Sequence, residues 1–209
     1  TGTSNVALGV DALGANVAGD QSVAVGHEAL LVQNPSGNVD MDNVAVGYRA
    51  LYANTTGTQN NAIGSGALDA NTTASYNTAM GHNALGANTT GAGNTALGQT
   101  ALTATTTGAQ NVGIGAGAGA AITTGSNNTI VGYTAGDAIT TAAGNTAVGH
   151  NALTGNVSGA DNTAVGYNSL PVNTVAGNTG IGANALNVNT TGAGNTALGR
   201  NSLVANTTG

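Results

Sequence analysis

The chain has 209 residues, of which 5% are charged and 2% aromatic, with 35 Gly, no Cys, no Trp and no Phe. Its formal net charge is −6, and the only cations are Arg49 and Arg200. Nucleic-acid binding and a polybasic membrane patch are excluded, since both neutralise phosphates with Lys and Arg. No apolar run approaches the ~18 residues needed to span a bilayer as a helix. The absence of Cys rules out a disulfide framework or a thiolate metal site.

An internal repeat organises everything else. Aligning the Gly that ends each N-T-A-V-G-like string gives twelve anchors: Gly9, Gly26, Gly47, Gly64, Gly81, Gly98, Gly115, Gly132, Gly149, Gly166, Gly182 and Gly199. All but two spacings are 17 residues. A unit this short, rich in Gly and β-branched residues, disfavours packed helices and fits stacked strands joined by turns. The predicted fold is all-β: a parallel β-solenoid or β-roll of twelve coils, one continuous array over 1–209. At about 4.8 Å per coil the rod is roughly 55–60 Å long. The two ends, Thr1-Gly2 and Thr207-Thr208-Gly209, stand at the same phase of the unit without a capping sequence, so the array is expected to be a segment of a longer fibre.

Taken in chain order, each unit opens on an Asn four residues before the anchor, replaced once by Ser22. Stacked, this column predicts an amide ladder along the axis. The first strand follows. The residue before every anchor is large and apolar, from Leu8 and Val25 to Ile181 and Leu198, and is expected to point inward. The residue two positions earlier, Val or Thr in eleven units and Asn61 in one, is expected to share that face, and the residue between, Ala in nine units with Gly113, Ile130 and Gly180 as exceptions, is expected to face outward. The anchor Gly should need positive φ or close backbone approach.

A second strand is expected around Leu, four residues past the anchor in ten units. Gly119 and Gly136 break that column, and in the same units the Asn three residues later becomes Ile122 and Ile139, which reads as a compensated move of apolar volume. Ala or Ser stands three past every anchor. Columns of small residues facing out predict tight packing against copies of the same rod, as a homotrimer. A four-residue insertion within 33–42 should bulge from a corner, and the one-residue deletion near Val175-Ala176-Gly177 also falls at a turn.

At Asn145 to Leu153, N-T-A-V-G-H-N-A-L, the chain resembles the head repeats of trimeric autotransporter adhesins, whose S-V-A-I-G-type string is nearly matched by Ser22-Val23-Ala24-Val25-Gly26. It is similar as well to N-T-A-x-G repeats of phage tail-fibre proteins. The resemblance implies a left-handed β-roll assembled side by side as a trimer, in an extracellular fibre of a virion or bacterial cell surface. It implies a structural or adhesive role, with its own copies as partners and a host-surface receptor or glycan as the ligand.

No catalytic constellation, cofactor motif or metal-ligand spacing stands out, and no enzymatic activity is expected. His27, Tyr48, His82, Tyr133, His150 and Tyr167 share one column, one residue past the anchor, and form a candidate recognition stripe. Asp40 and Asp42 are the carboxylates that a Ca²⁺ loop would use. Seven Asn-x-Ser/Thr sequons lie at Asn54, Asn71, Asn88, Asn127, Asn156, Asn189 and Asn206. The alternative role is ice binding through Thr columns such as Thr55-Thr56, Thr72-Thr73 and Thr89-Thr90.

Overall fold

The computed structural model describes residues 2–209; Thr1, at the start of the array, lies outside the described residues. Twelve three-residue strands, from Val6–Leu8 to Thr196–Leu198, form one parallel sheet whose spatial order is the sequence order. Each strand pairs in register with the strand one unit on, for example Thr146↔Thr163 and Val148↔Val165. No helix occurs among the described residues. The expected all-β parallel solenoid is thus observed, with the register fixed by the anchor glycines.

The second strand of each coil is not formed. The residues after the anchor make a continuous turn. Leu in this column has φ between 47° and 58° at all ten positions, and the residue two past the anchor is left-handed as well, as in Arg49 (54°) and Asn151 (55°). A third left-handed position lies five before the anchor, as in Gln59 (57°) and Gly144 (72°). These corners let 17 residues close a coil. Strand alternation therefore does not govern this arc, and inward positions fall three, four and seven residues past the anchor. Leu68, Ala67 and Asn71 are examples, all fully buried.

The facing of the first strand is the reverse of the expectation. The middle residue is the buried one: Ala24, Ala45, Ala62, Ala96, Ala147 and Ala164 have no exposed surface. The Ala column three past the anchor is buried too, including Ala29, Ala84 and Ala152. The large residues before the anchors lie on the outer face, where Ile63, Met80, Ile114 and Ile181 are 37–47% exposed. The reason is volume. Each coil encloses one thin layer already holding a Leu and two Asn, so only a small side chain fits inward from the strand.

The core is accordingly half apolar and half amide. Asn94, Asn111 and Asn128 are buried and linked: the Asn111 backbone N–H donates to Asn94 Oδ1 at 2.9 Å, and Asn128 Nδ2 donates to Asn111 Oδ1 at 3.0 Å. A second ladder runs seven past the anchor, with Asn71 Nδ2 donating to Asn54 Oδ1 at 2.9 Å. In several coils both ladders converge on one carbonyl; Gly57 O accepts from Asn43 at 2.8 Å and Asn54 at 3.0 Å, and Ala74 O from Asn60 at 2.9 Å and Asn71 at 3.1 Å. Buried amides are tolerated because their donors and acceptors are met. The expected Asn ladder is present, and a second runs beside it.

The second ladder is interrupted at Thr105 and through the two coils where the Leu column breaks, and it resumes with Asn189 Nδ2 donating to Asn173 Oδ1 at 3.0 Å. Ile122 and Ile139 are fully buried in place of Asn, and a Cβ at Gly119 would lie 2.9 Å from Ile122 Cδ1. The isoleucine occupies the volume that Leu fills elsewhere. Asn88 Oδ1 and Thr105 Oγ1, on the coils just before, are left without partners. Ile130 belongs to the same rearrangement. It is the one large inward residue of the strand column, and it fits because Gly136 carries no side chain; a Cβ there would meet Ile130 Cδ1 at 3.0 Å.

The insertion bulges as expected, with residues 36–40 exposed. At its end Val39–Asp40 pairs in parallel with Gly19–Asp20, and Met41 is buried beside it.

Candidate functional site

Two surfaces of the rod carry chemistry that the fold does not consume. The first is the outer face of the sheet. Along it run the large residues preceding each anchor, and beside them the Val/Thr column, from Val23 and Val44 to Thr163 and Thr179. The parallel pairing places each residue directly beside its equivalent in the next coil, so the apolar file is continuous along the sheet.

The second is the column one past the anchor. The chain bends at each anchor Gly, and the next side chain projects into solvent. Tyr48, Tyr133 and Tyr167 are 52–59% exposed. The rings stack along the axis: His27 on Tyr48 at 5.6 Å between centroids, Tyr133 on His150 at 5.4 Å, and His150 on Tyr167 at 5.5 Å. The six residues of the candidate stripe therefore resolve into a pair, a triplet and a single ring. His82 lies between Ser65 and Gln99 and has no ring beside it. The triplet is bracketed by Ala116 before Tyr133 and Ala183 after Tyr167. Sequence spacing placed these rings in one column; their stacking follows from the coil rise.

Next to the triplet is a notch of about 250 Å³, lined by Gln99, Thr100, Ala116, Gly117, Tyr133 and Thr134. Its two threonines are unusual. Thr100 (φ 54°) and Thr134 (φ 47°) are the only β-branched residues in the left-handed region among those described, a conformation that costs such residues most.

A small charged cluster lies elsewhere on the rod. Arg49 lies 3.3 Å from Asp69 and 3.8 Å from Glu28, with its guanidinium 4.1 Å from the centre of the Tyr52 ring. Partial burial raises the Asp69 carboxyl above its ordinary 3.8; Arg49 opposes this, and Glu28 adds to it. Asp137 is raised by burial too, against backbone hydrogen bonds that favour its charged form. Asp40 and Asp42 are exposed, and no group of three or more His, Cys, Asp or Glu suited to a metal ion occurs among the described residues.

The sequons are mostly inaccessible. Asn54, Asn71, Asn88, Asn156 and Asn189 belong to the second ladder and have no exposed surface. Asn206 is half-buried at the last coil, and of the seven only Asn127 is exposed. The Thr-Thr pairs are divided in function: Thr55, Thr72 and Thr89 donate their hydroxyls to carbonyls of the next coil at 2.9–3.1 Å, while Thr56, Thr73 and Thr90 face solvent.

Fold and surface together define a repeat protein of the parallel β-solenoid class. No protein-family model, curated protein or solved structure matches the chain.

Proposed function

We propose that the chain is a rigid segment of an extracellular fibre, on a virion or a bacterial cell surface, that assembles side by side with copies of itself. The observation that carries this reading is the outward file of large apolar residues. A sheet face presenting Val, Ile, Leu and Met in coil after coil is larger than the scattered apolar residues that a monomeric surface carries. Its occupant should repeat at the same interval along the same axis, and a copy of the rod meets that demand in every coil. Three copies around one axis bury each file against two others, which favours a homotrimer. The resemblance of Ser22-Val23-Ala24-Val25-Gly26 to adhesin-head strings supports the same arrangement. The role is mechanical and adhesive, without catalysis: stacking uses most of the sequence, and the ring column is left for recognition.

Sedimentation velocity and equilibrium test the assembly. The parent chain should sediment as an elongated trimer. Val148→Glu places a carboxylate in the middle of the file, where three copies would bury three like charges together. It should yield monomers with an unchanged β-rich circular dichroism spectrum. A parent chain that is monomeric at the highest soluble concentration would refute the reading.

A further inference from the structure

We infer that the notch beside Tyr133 is a binding slot for a single neutral pyranose ring, the terminal or exposed unit of a surface glycan. One face of the Tyr133 ring is covered by His150 at 5.4 Å. Its other face turns toward the preceding coil, where the column holds only Ala116, followed by Gly117. The next side chain of the column in that direction is Gln99, two coils away. Two coil rises are about 9.6 Å, and van der Waals contact of about 3.5–4 Å at the tyrosine wall leaves room for a layer one saturated ring thick. The notch, about 250 Å³ and open to solvent, lies in that space.

The chemistry of the walls selects the ligand. A pyranose presents a face of C–H groups edged by hydroxyls. Here the Tyr133 ring is an apolar wall, and Thr134 Cγ2 lies 3.4 Å from where a Gly117 Cβ would sit, so the threonine methyl adds to it. Gln99 supplies an amide donor and acceptor at the opposite wall, while the threonine hydroxyls are held by the protein, Thr100 Oγ1 donating to Gln99 O and Thr134 Oγ1 to Asn151 Oδ1, each at 2.7 Å. No lining residue carries a formal charge at neutral pH, which favours a neutral sugar over a sialic or uronic acid. The conformations of Thr100 and Thr134 are the second observation. Asn fills this corner in Asn83, Asn151, Asn168, Asn184 and Asn201, where it tolerates the left-handed region. Thr replaces it at two positions that line the slot, and backbone strain concentrates at ligand sites. The slot lies within one chain, so it stands or falls independently of the trimer.

Saturation-transfer NMR with methyl β-galactopyranoside, methyl α-glucopyranoside, N-acetylglucosamine and N-acetylneuraminic acid tests the inference. At least one neutral pyranoside, at about 10 mM as suits millimolar affinity, should receive saturation on the C–H protons of one ring face. The anionic sugar should receive less. Ala116→Tyr continues the ring stack through the slot with a residue the column already uses, and should abolish the effect while the chain melts as the parent does. Tyr133→Ala should weaken binding by about three- to tenfold, and Tyr48→Ala, in a separate stack, should leave it unchanged. Absence of transfer to every neutral sugar, transfer that survives Ala116→Tyr, or equal loss in Tyr48→Ala would overturn the proposal.

Discussion

Gly98→Ala is expected to be among the most damaging single substitutions in the chain, lowering stability by at least about 3 kcal/mol. Every anchor has φ between 117° and 139°, a region that L side chains rarely adopt. The conformational cost is only part of the loss. A Cβ at Gly98 would sit 2.6 Å from the Gly115 carbonyl carbon and oxygen. Those atoms belong to the backbone of the next coil and cannot rotate away. The coil interface would have to open, and in a nearest-neighbour stack that interface carries the coupling between the two halves of the rod. Gly37→Ala separates the two effects. Gly37 lies in the insertion with φ 102° and nothing within 4 Å of a built Cβ. It should show the conformational cost without the clash. In thermal melts of otherwise identical chains, Gly98→Ala should lower the midpoint by roughly 6–12 °C, and Gly37→Ala by clearly less.

The second large effect is a coupling. Gly119→Leu alone restores the Leu column but drives the new side chain against Ile122 Cδ1 and Leu102 Cδ2, each 2.9 Å from the Cβ position. Ile122→Asn alone restores the ladder residue but leaves the volume of the missing Leu empty. Each single change should cost about 2–4 kcal/mol. The double change recreates the arrangement of the other coils, in which Leu packs inward and the Asn amide donates to the carbonyl three residues on, as Asn54 does to Gly57 at 3.0 Å. It should fall within about 1 kcal/mol of the parent, giving a coupling energy above about 2 kcal/mol in a double-mutant cycle by denaturant unfolding. Additive single effects would mean that Ile122 does not fill the space left at Gly119.

These substitutions mark what the sequence made legible. The coil register, the anchor conformation, the amide ladder and the Gly–Ile compensation all follow from residues recurring at fixed phase. The facing of the strand did not follow. Alternation requires that Val25 and Ala24 point opposite ways, yet it does not say which points inward. Hydrophobicity favoured Val; the enclosed volume favoured Ala. The deciding signal was size. The middle position is Ala or Gly in eleven units, and its one large member, Ile130, coincides with a missing Leu at Gly136, whereas the position before the anchor ranges over Val, Leu, Ile and Met. The arc after the anchor carries the pattern of a strand but forms a turn, because ten leucines in the left-handed region have no signature in composition. The recognition column was visible as a column, but its division into a stacked pair, a triplet and an open slot depends on which coils are adjacent and on the 5.4–5.6 Å spacing of the rings.

The outward apolar file is the central claim, and because the chain has no Cys a pair of single substitutions tests it directly. Val148→Cys and Ala147→Cys differ by one residue and by one face of the sheet. Under mild oxidation, Val148→Cys should form disulfide-linked chains, since in the proposed side-by-side assembly like residues of neighbouring rods would meet along the file, and it should react with a thiol reagent once those links are reduced and the sample is diluted. Ala147→Cys should remain uncrosslinked and unreactive until the chain is denatured. Crosslinking and reactivity at Ala147→Cys, with neither at Val148→Cys, would contradict the account.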